Sequence, residues 1–336
     1  MRLTTPKFWY EHSLTAPALF LTPASFVYGL GLHIRNRFTS PSPSPLPVIC
    51  VGNLTAGGSG KTPVAEMVMR LLLDKRLFDN PAFLSRGYGR QTKKTFKVEQ
   101  HHTALETGDE AQILSKTAPV YLAGDRRAGL ECAIKNHTDC LVMDDGYQNR
   151  DLEQDVKILV INSYDGFGNQ KMIPAGPLRE SLETGLQKAD IILLIDDPRG
   201  RRLGPDSLKA AGKPVFSCSM RFKIEDIDKK EKHIAFTGIA RPEKFFKSLE
   251  KVGIIPESEI SFPDHHNFSP ADVRRLISCL QESGGKLITT EKDYVRLPEE
   301  LKKDTHILKF TLIPEKPEEL TEKIVRLINE KSKTSY

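Results

Sequence analysis

Short runs of β-branched and aliphatic residues recur along the chain at 48–51, 82–84, 120–122, 141–143, 156–161 and 191–195. Several are apolar without alternation, the pattern of strands buried on both faces of a parallel sheet. Between the first of these runs the period changes. Val64, Met67, Val68, Leu71 and Leu72 fall on one side of a helix over 64–73. Strands alternating with helices predict an α/β fold built on a mostly parallel sheet.

The pattern shifts at 217–224, where Cys218, Met220, Phe222 and Ile224 alternate with polar neighbours, and a charged run follows over 225–232. A second α/β set comes next, with strands at 234–237, 259–262 and 286–289 and helices over 242–252 and 270–281. The stretch 306–312 reads as a strand and 317–329 as an amphipathic helix. The expected organisation is a first domain over 47–216 and a smaller α/β domain over 225–305. A two-stranded linker of 217–224 and 306–312 joins them, and a C-terminal helix within 313–336 returns to the first domain.

The amino-terminal segment, 1–38, is different. No Lys, Arg, Asp or Glu occurs over 12–34, after which Arg35 and Arg37 follow. Pro17 and Pro23 interrupt the run, and Thr15, Thr22 and Ser25 dilute it, so it falls short of the roughly 20 predominantly apolar residues of a full span. Glu11 and the lack of a small-residue cleavage site argue against a secretory signal. The expectation is a helix lying in or against a membrane interface, with Phe26, Leu30 and Ile34 on one side. The alternating Ser and Pro of 39–47 suit a linker and no helix interior.

Composition narrows the choice of partner. With 39% hydrophobic and 28% charged residues among 336, the chain is globular. A net charge of +5 is too small to point to nucleic acid, and suits anionic lipid headgroups or a phosphorylated substrate. The five cysteines are scattered without a Cys-x-x-Cys pair. They argue for reduced thiols in the cytosol and against a structural zinc site.

Candidate chemistry is concentrated after the first strand. The segment Thr55-Ala56-Gly57-Gly58-Ser59-Gly60-Lys61-Thr62 follows an apolar strand and opens a helix, the context that a phosphate-binding loop requires. Its glycines let backbone N–H groups turn toward phosphate oxygens, and the helix N-terminus adds its positive end. Lys61 would reach the β- and γ-phosphates of a nucleoside triphosphate, and Thr62 would ligate Mg²⁺. The usual first glycine, five places before Gly60, is Thr55. A second apolar run ends in Asp144 and Asp145, carboxylates placed to hold Mg²⁺ at the same sheet edge.

Weaker signals surround these two. Asp109 and Glu110 follow Gly108, and His265 lies in Pro-Asp-His-His. A carboxylate and an imidazole can act as base and orienter for an attacking hydroxyl. Arg86, Arg126 and Arg179 follow strands or glycine turns at the edge where open α/β sheets bind anions. Thr290-Glu291-Lys292-Asp293 is similar to the guanine-reading signature of GTPases, but its lysine comes one place late, so GTP is not inferred. Read alone, the phosphate loop also fits an ATP-driven switch protein or a soluble small-metabolite kinase.

Taken together, GNLTAGGSGKTP, LSRGYGR, GDE, AGDRR, DDGYQ, AGPLRE, AFTGIARPEKFF, FPDHHNFS and TTEKDYVRL resemble, in that order from 52 to 297, the tetraacyldisaccharide 4′-kinases of Gram-negative bacteria. The resemblance covers nearly the whole chain and tolerates Thr55. It implies transfer of the ATP γ-phosphate to the 4′-hydroxyl of the lipid A disaccharide 1-phosphate, with Mg²⁺, at the cytosolic face of the inner membrane. It also implies two α/β domains joined by a two-stranded linker. Carried across, Asp109 matches the proposed base with His265 supporting it, and Lys61, Thr62, Asp144 and Asp145 serve phosphate and metal. Glu110, Gln148 and Arg179 are further candidates for substrate contact. A monomer is expected.

Overall fold

A computed structural model describes residues 5–11, 15–58, 60–225, 227–228 and 231–334. Twelve strands form one sheet: β1 (Val48–Gly52), β2 (Pro81–Ser85), β3 (Phe96–Lys97), β4 (Val120–Leu122), β5 (Cys140–Asp144), β6 (Val156–Asn162), β7 (Ile191–Ile195), β8 (Val215–Lys223), β9 (His233–Thr237), β10 (Ser258–Ser261), β11 (Lys286–Thr290) and β12 (Thr305–Pro314). Their spatial order is β10-β9-β11-β12-β8-β7-β6-β1-β5-β2-β4-β3. All neighbours are parallel except β3 with β4 and β8 with β12.

The β8–β12 pairing determines where the cleft lies. The first residues of β8, Val215 to Cys218, pair parallel with β7. From Cys218 to Lys223 it pairs antiparallel with Pro314 to Lys309 of β12. The first residues of β12, Thr305 to Leu308, pair parallel with β11. Each long strand therefore belongs to its own parallel set with one half and to the other long strand with the second half. The two parallel sets point toward each other, and their carboxyl ends face one gap.

Burial follows the sequence pattern. β1, β2, β5 and β7 are buried at every position, as continuous apolar runs require of strands covered on both faces. Helix Lys61–Asp74 buries Val64, Met67, Val68 and Leu72 against one face. Helix Pro317–Thr334 adds Leu320, Ile324 and Ile328 to the same core. A separate pair of clusters covers the two faces of the β9–β12 set, centred on Phe236 and Leu287 on one side and Phe245 and Ile288 on the other.

Helix Ala16–Phe38 runs 23 residues. It is long and apolar enough to cross a membrane by length and composition, where the two prolines had suggested an interrupted segment. Pro17 sits in the first turn, where no backbone donor is lost, and the helix continues through Pro23. It touches the body along a narrow line that buries Ala18 and Ser25. Ser25 Oγ donates to the Met172 carbonyl at 2.8 Å and accepts from Ala175 N at 3.0 Å, and Tyr28 donates to the Arg179 carbonyl at 3.1 Å. The rest is open: Phe20 is 85% and Phe26 73% exposed. Residues 1–4 and 12–14 of the segment lie outside the described residues.

Candidate active site

β1 runs directly into the glycine-rich loop, and the loop's shape is set by what packs beneath it. A Cβ on Gly52 would stand 2.5 Å from Tyr147 Cβ. The strand end and the turn after β5 therefore share a space that only glycine leaves open. Asn53 Nδ2 donates to the Thr55 carbonyl at 2.6 Å and to Thr55 Oγ1 at 3.0 Å. Ala56 N donates to the Pro177 carbonyl at 2.8 Å, and Arg179 N to that of Leu54 at 2.7 Å. The left-handed positions are Gly57 and Gly60. Thr55 needs no left-handed backbone, which is why the missing glycine leaves the loop intact. Gly58 is exposed beside them, and Ser59 lies outside the described residues.

Helix Lys61–Asp74 begins at once, with its unpaired N–H groups at the carboxyl end of β1. Thr62 Oγ1 donates to Asp144 Oδ2 at 2.9 Å. Asp144 is 1% exposed, and among the described residues its Oδ1 has no hydrogen-bond partner. Burial, and then the charges of Glu110 and Asp145, push its carboxyl up to about 7. Asp145 faces two cations, with Arg179 Nη1 at 3.0 Å and Lys61 Nζ at 3.6 Å. Gln148 Nε2 donates to the Asn53 carbonyl at 2.9 Å and to Glu180 at 3.1 Å, so the glutamine ties the loop to the 177–180 segment.

Across the gap, Asp109 opens helix Asp109–Leu114 and is 6% exposed. Gly108 before it is left-handed in φ, and a Cβ there would lie 2.6 Å from the Tyr88 carbonyl. His265, in the turn after β10, has φ 53° and donates its backbone N–H to the Gly238 carbonyl at 3.0 Å. Its Nδ1 lies 2.9 Å from Asp109 Oδ2, and the Tyr88 ring packs on it at 5.5 Å between centroids. Arg296 Nε approaches the same oxygen at 3.5 Å. Glu110 pairs with Lys292, whose ammonium holds the Glu110 carboxyl down at about 2.

Lys292 belongs to the segment set aside above for its misplaced guanine signature, Arg296 follows it, and Asp293 between them is the hub. Its carboxylate accepts from Thr237 Oγ1 and Thr290 Oγ1 at 2.7 Å, from Gly238 N at 3.0 Å and from Arg296 Nη2 at 2.7 Å. Through Gly238 and Arg296, Asp293 fixes the turn that carries His265. Sequence reasoning missed these three residues and Tyr88. The available signals were the Thr-Glu-Lys-Asp run itself and Tyr88 within Ser-Arg-Gly-Tyr.

Arg126 is 2% exposed, donates to the Ala123 carbonyl at 2.6 Å, and leaves Nε without a partner. Burial, then the charge of Arg86, lowers its pKa to about 10. Arg86 is exposed after β2. On the opposite flank, Arg199 bridges Asp165, Asp197 and Glu243, and Lys244 reaches Asp197 at 2.9 Å. The arrangement gathers a phosphate cradle, a buried Asp144 beside an exposed Asp145, and a histidine-backed carboxylate around one gap.

A family model described as tetraacyldisaccharide-1-P 4′-kinase matches residues 17–329. A tetraacyldisaccharide 4′-kinase of Parvibaculum lavamentivorans is 40% identical over 300 residues, 87% of this chain and 86% of that one. That of Gluconacetobacter diazotrophicus is 40% identical over 321 residues, 94% and 96% of the two chains. The crystal structure of LpxK from Aquifex aeolicus in complex with ATP superposes with a TM-score of 0.75 at 30% identity, covering 93% of this chain and 99% of that one.

Proposed function

This chain belongs to the tetraacyldisaccharide-1-P 4′-kinase family, and from that premise we propose how its cleft performs the reaction. The protein is an ATP-dependent kinase that transfers the γ-phosphoryl group of ATP to the 4′-hydroxyl of tetraacyldisaccharide 1-phosphate in lipid A biosynthesis.

The observation that most supports this reading is the 2.9 Å approach of His265 Nδ1 to Asp109 Oδ2 beside the phosphate loop. Asp109 takes the proton of the 4′-hydroxyl. The acceptor oxygen bonds to the γ-phosphorus as the bond to the β–γ bridging oxygen breaks, and ADP leaves. His265 holds the carboxylate in the orientation that receives the proton. Lys61 and the N–H groups of the loop, Thr55 to Thr62, neutralise charge on the phosphate oxygens. Arg86, Arg126 and Arg179 add positive charge at the rim. Because phosphoryl transfer is mostly positioning and charge neutralisation, this set is sufficient.

The donors at the head of helix Lys61–Asp74 fit magnesium, which takes hard oxygen ligands. Asp144 offers an unpartnered buried Oδ1, with Thr62 Oγ1 and Asp145 beside it, and these three would hold the ion. When bound, magnesium neutralises charge on the β- and γ-oxygens.

Two units, 47–216 and 225–305, close on one another through the linker 217–224 and 306–312, and closure is what brings His265 to Asp109. The open apolar side of helix Ala16–Phe38 lies in the interface at the cytoplasmic face of the inner membrane, where the acyl chains of the acceptor reside. The protein acts as a monomer. The test is the purified protein with γ-labelled ATP and tetraacyldisaccharide 1-phosphate in detergent micelles. Label entering the lipid, with ATP turnover dependent on the acceptor, is expected. ATP consumed equally fast without acceptor, and no labelled lipid, would instead make it a switch-type ATPase.

A further inference from the structure

Away from the cleft, at the amino ends of β9 and β12, two imidazoles and a carboxylate converge. His233 opens β9 and pairs with Lys286 of β11, while His306 of β12 pairs with Ile288 on the other side of β11. Register partners project to the same face of a sheet, as do residues two apart on one strand. Both rings therefore stand on one face, with centroids 6.1 Å apart. Glu231 ends the preceding loop and completes the group. One donor atom from each of the three residues lies within 4.8 Å of the other two.

His233 gives this cluster its point. It is 2% exposed, and among the described residues its Nε2 has no hydrogen-bond partner. Its other ring nitrogen is engaged by the Glu231 backbone. A buried polar atom left unmatched is costly, and the kinase chemistry gives this one no task.

From this convergence we propose that Glu231, His233 and His306 form a second metal site, selective for a borderline-soft divalent cation of the zinc class. Two imidazoles and one carboxylate form a zinc donor set, with an open fourth position for water. Magnesium prefers oxygen donors and is served by the acids of the cleft. Zinc–ligand bonds of about 2.0–2.2 Å require the donors to approach to roughly 3.3 Å. The exposed Glu231 and half-buried His306 can swing in toward the fixed His233 Nε2. The backbone contact on the other His233 nitrogen sets the ring's tautomer and orientation, as outer partners of metal-bound histidines do. Lys286, on the same face, is held by Asp304 at 2.6 Å.

An ion here joins the first residue of β9 to β12 across β11. Because the far half of β12 pairs with β8, the site fastens the connector to the unit that carries His265. The scattered cysteines gave no sign of it, since its ligands are imidazoles brought together by strand order.

The experiment uses the untagged full-length protein in detergent, stripped with EDTA and kept in excess Mg²⁺ to fill the cleft. Zn²⁺ is titrated against a chromophoric chelator, and Co²⁺ is followed by visible absorption. The wild type is expected to bind one more equivalent of Zn²⁺ than E231Q/H306Q. It should also show a cobalt band that zinc displaces and a zinc-dependent rise in Tm, both missing from the variant. Kinase activity in Mg²⁺ should agree within twofold. H306Q alone, on a half-exposed side chain, gives the same reading with the fold left intact. Equal zinc stoichiometry in wild type and H306Q, or identical cobalt spectra, overturns the proposal.

Discussion

His265 Nδ1 stands 2.9 Å from Asp109 Oδ2, although 156 residues separate the two. The pair closes the gap between two parallel sets of strands whose carboxyl ends face each other. It does not act alone, since Lys292 with Glu110 and Lys116 with Glu291 cross the same gap. On the far flank Lys244 with Asp197 and Glu243 with Arg199 join the two sides. On the proposed mechanism, a carboxylate whose geometry is set by a residue from the other side is competent only when both sides are together.

Lys61 sits in the first turn of its helix with its Nζ 3.6 Å from Asp145 Oδ1. Lys61→Ala is expected to lower kcat by about 10²–10³, the effect of removing one electrostatic donor to developing charge. The check is steady-state transfer to lipid with urea unfolding as a control. A loss below tenfold in a fully folded variant contradicts the role.

Asp144 links pH to both stability and metal. Burial, and then Glu110 and Asp145, raise its folded pKa to about 7, whereas an unfolded aspartate releases its proton near 3.9. Between those values the folded state holds more protons, so this group's contribution to stability falls as pH rises. In EDTA, Asp144→Asn should therefore gain stability over wild type at pH 8 and not at pH 5. Magnesium affinity of the wild type should weaken by up to tenfold for each pH unit below about 7. Urea melts and magnesium titrations at several pH values measure both. A stability difference that does not change with pH rules out the raised pKa.

Asp293 is completely buried and accepts four hydrogen bonds, one of them from Arg296, whose side chain is 6% exposed. Asp293→Ala removes the nearer of two carboxylates on that guanidinium and leaves Thr237 Oγ1 and Gly238 N without their acceptor, and should destabilise the protein by about 3 kcal/mol or more. Denaturant unfolding is the measurement, and a cost below about 1 kcal/mol contradicts the hub assignment.

Phe20 and Phe26 project from helix Ala16–Phe38 at 85% and 73% exposure. Burying such a side chain is worth about 1.5–3 kcal/mol. Phe20→Ser/Phe26→Ser should therefore weaken partitioning into anionic vesicles at least tenfold while leaving ATP binding unchanged. Co-sedimentation decides it, and equal sedimentation of variant and wild type removes this face from the membrane contact.

The parallel strands were legible in the sequence because runs such as Val48 to Val51 are apolar at every position, and the phosphate loop because strand, glycines, Lys61 and helix are contiguous. Helix Ala16–Phe38 was read as interrupted because Pro17 and Pro23 count as breakers until one knows that Pro17 lies in the first turn. Lys292, Asp293 and Arg296 stayed hidden for another reason. Their roles depend on Glu110, Gly238 and Asp109, which lie 55 to 187 residues earlier in the chain. The opposition of the two sets of strand ends arises from the split pairing of β8 and β12, which no local pattern encodes.

The most direct test of the account is a double-mutant cycle on Asp109 and His265, read as kcat/KM for phosphoryl transfer to tetraacyldisaccharide 1-phosphate in micelles. Asp109→Ala and His265→Ala should each depress turnover with ATP affinity nearly unchanged, since neither belongs to the phosphate cradle. If the imidazole works by orienting the carboxylate, the two form one unit, and the double variant should be little worse than the poorer single. A double defect equal to the product of the two single defects would mean that the residues act independently, and would contradict the mechanism.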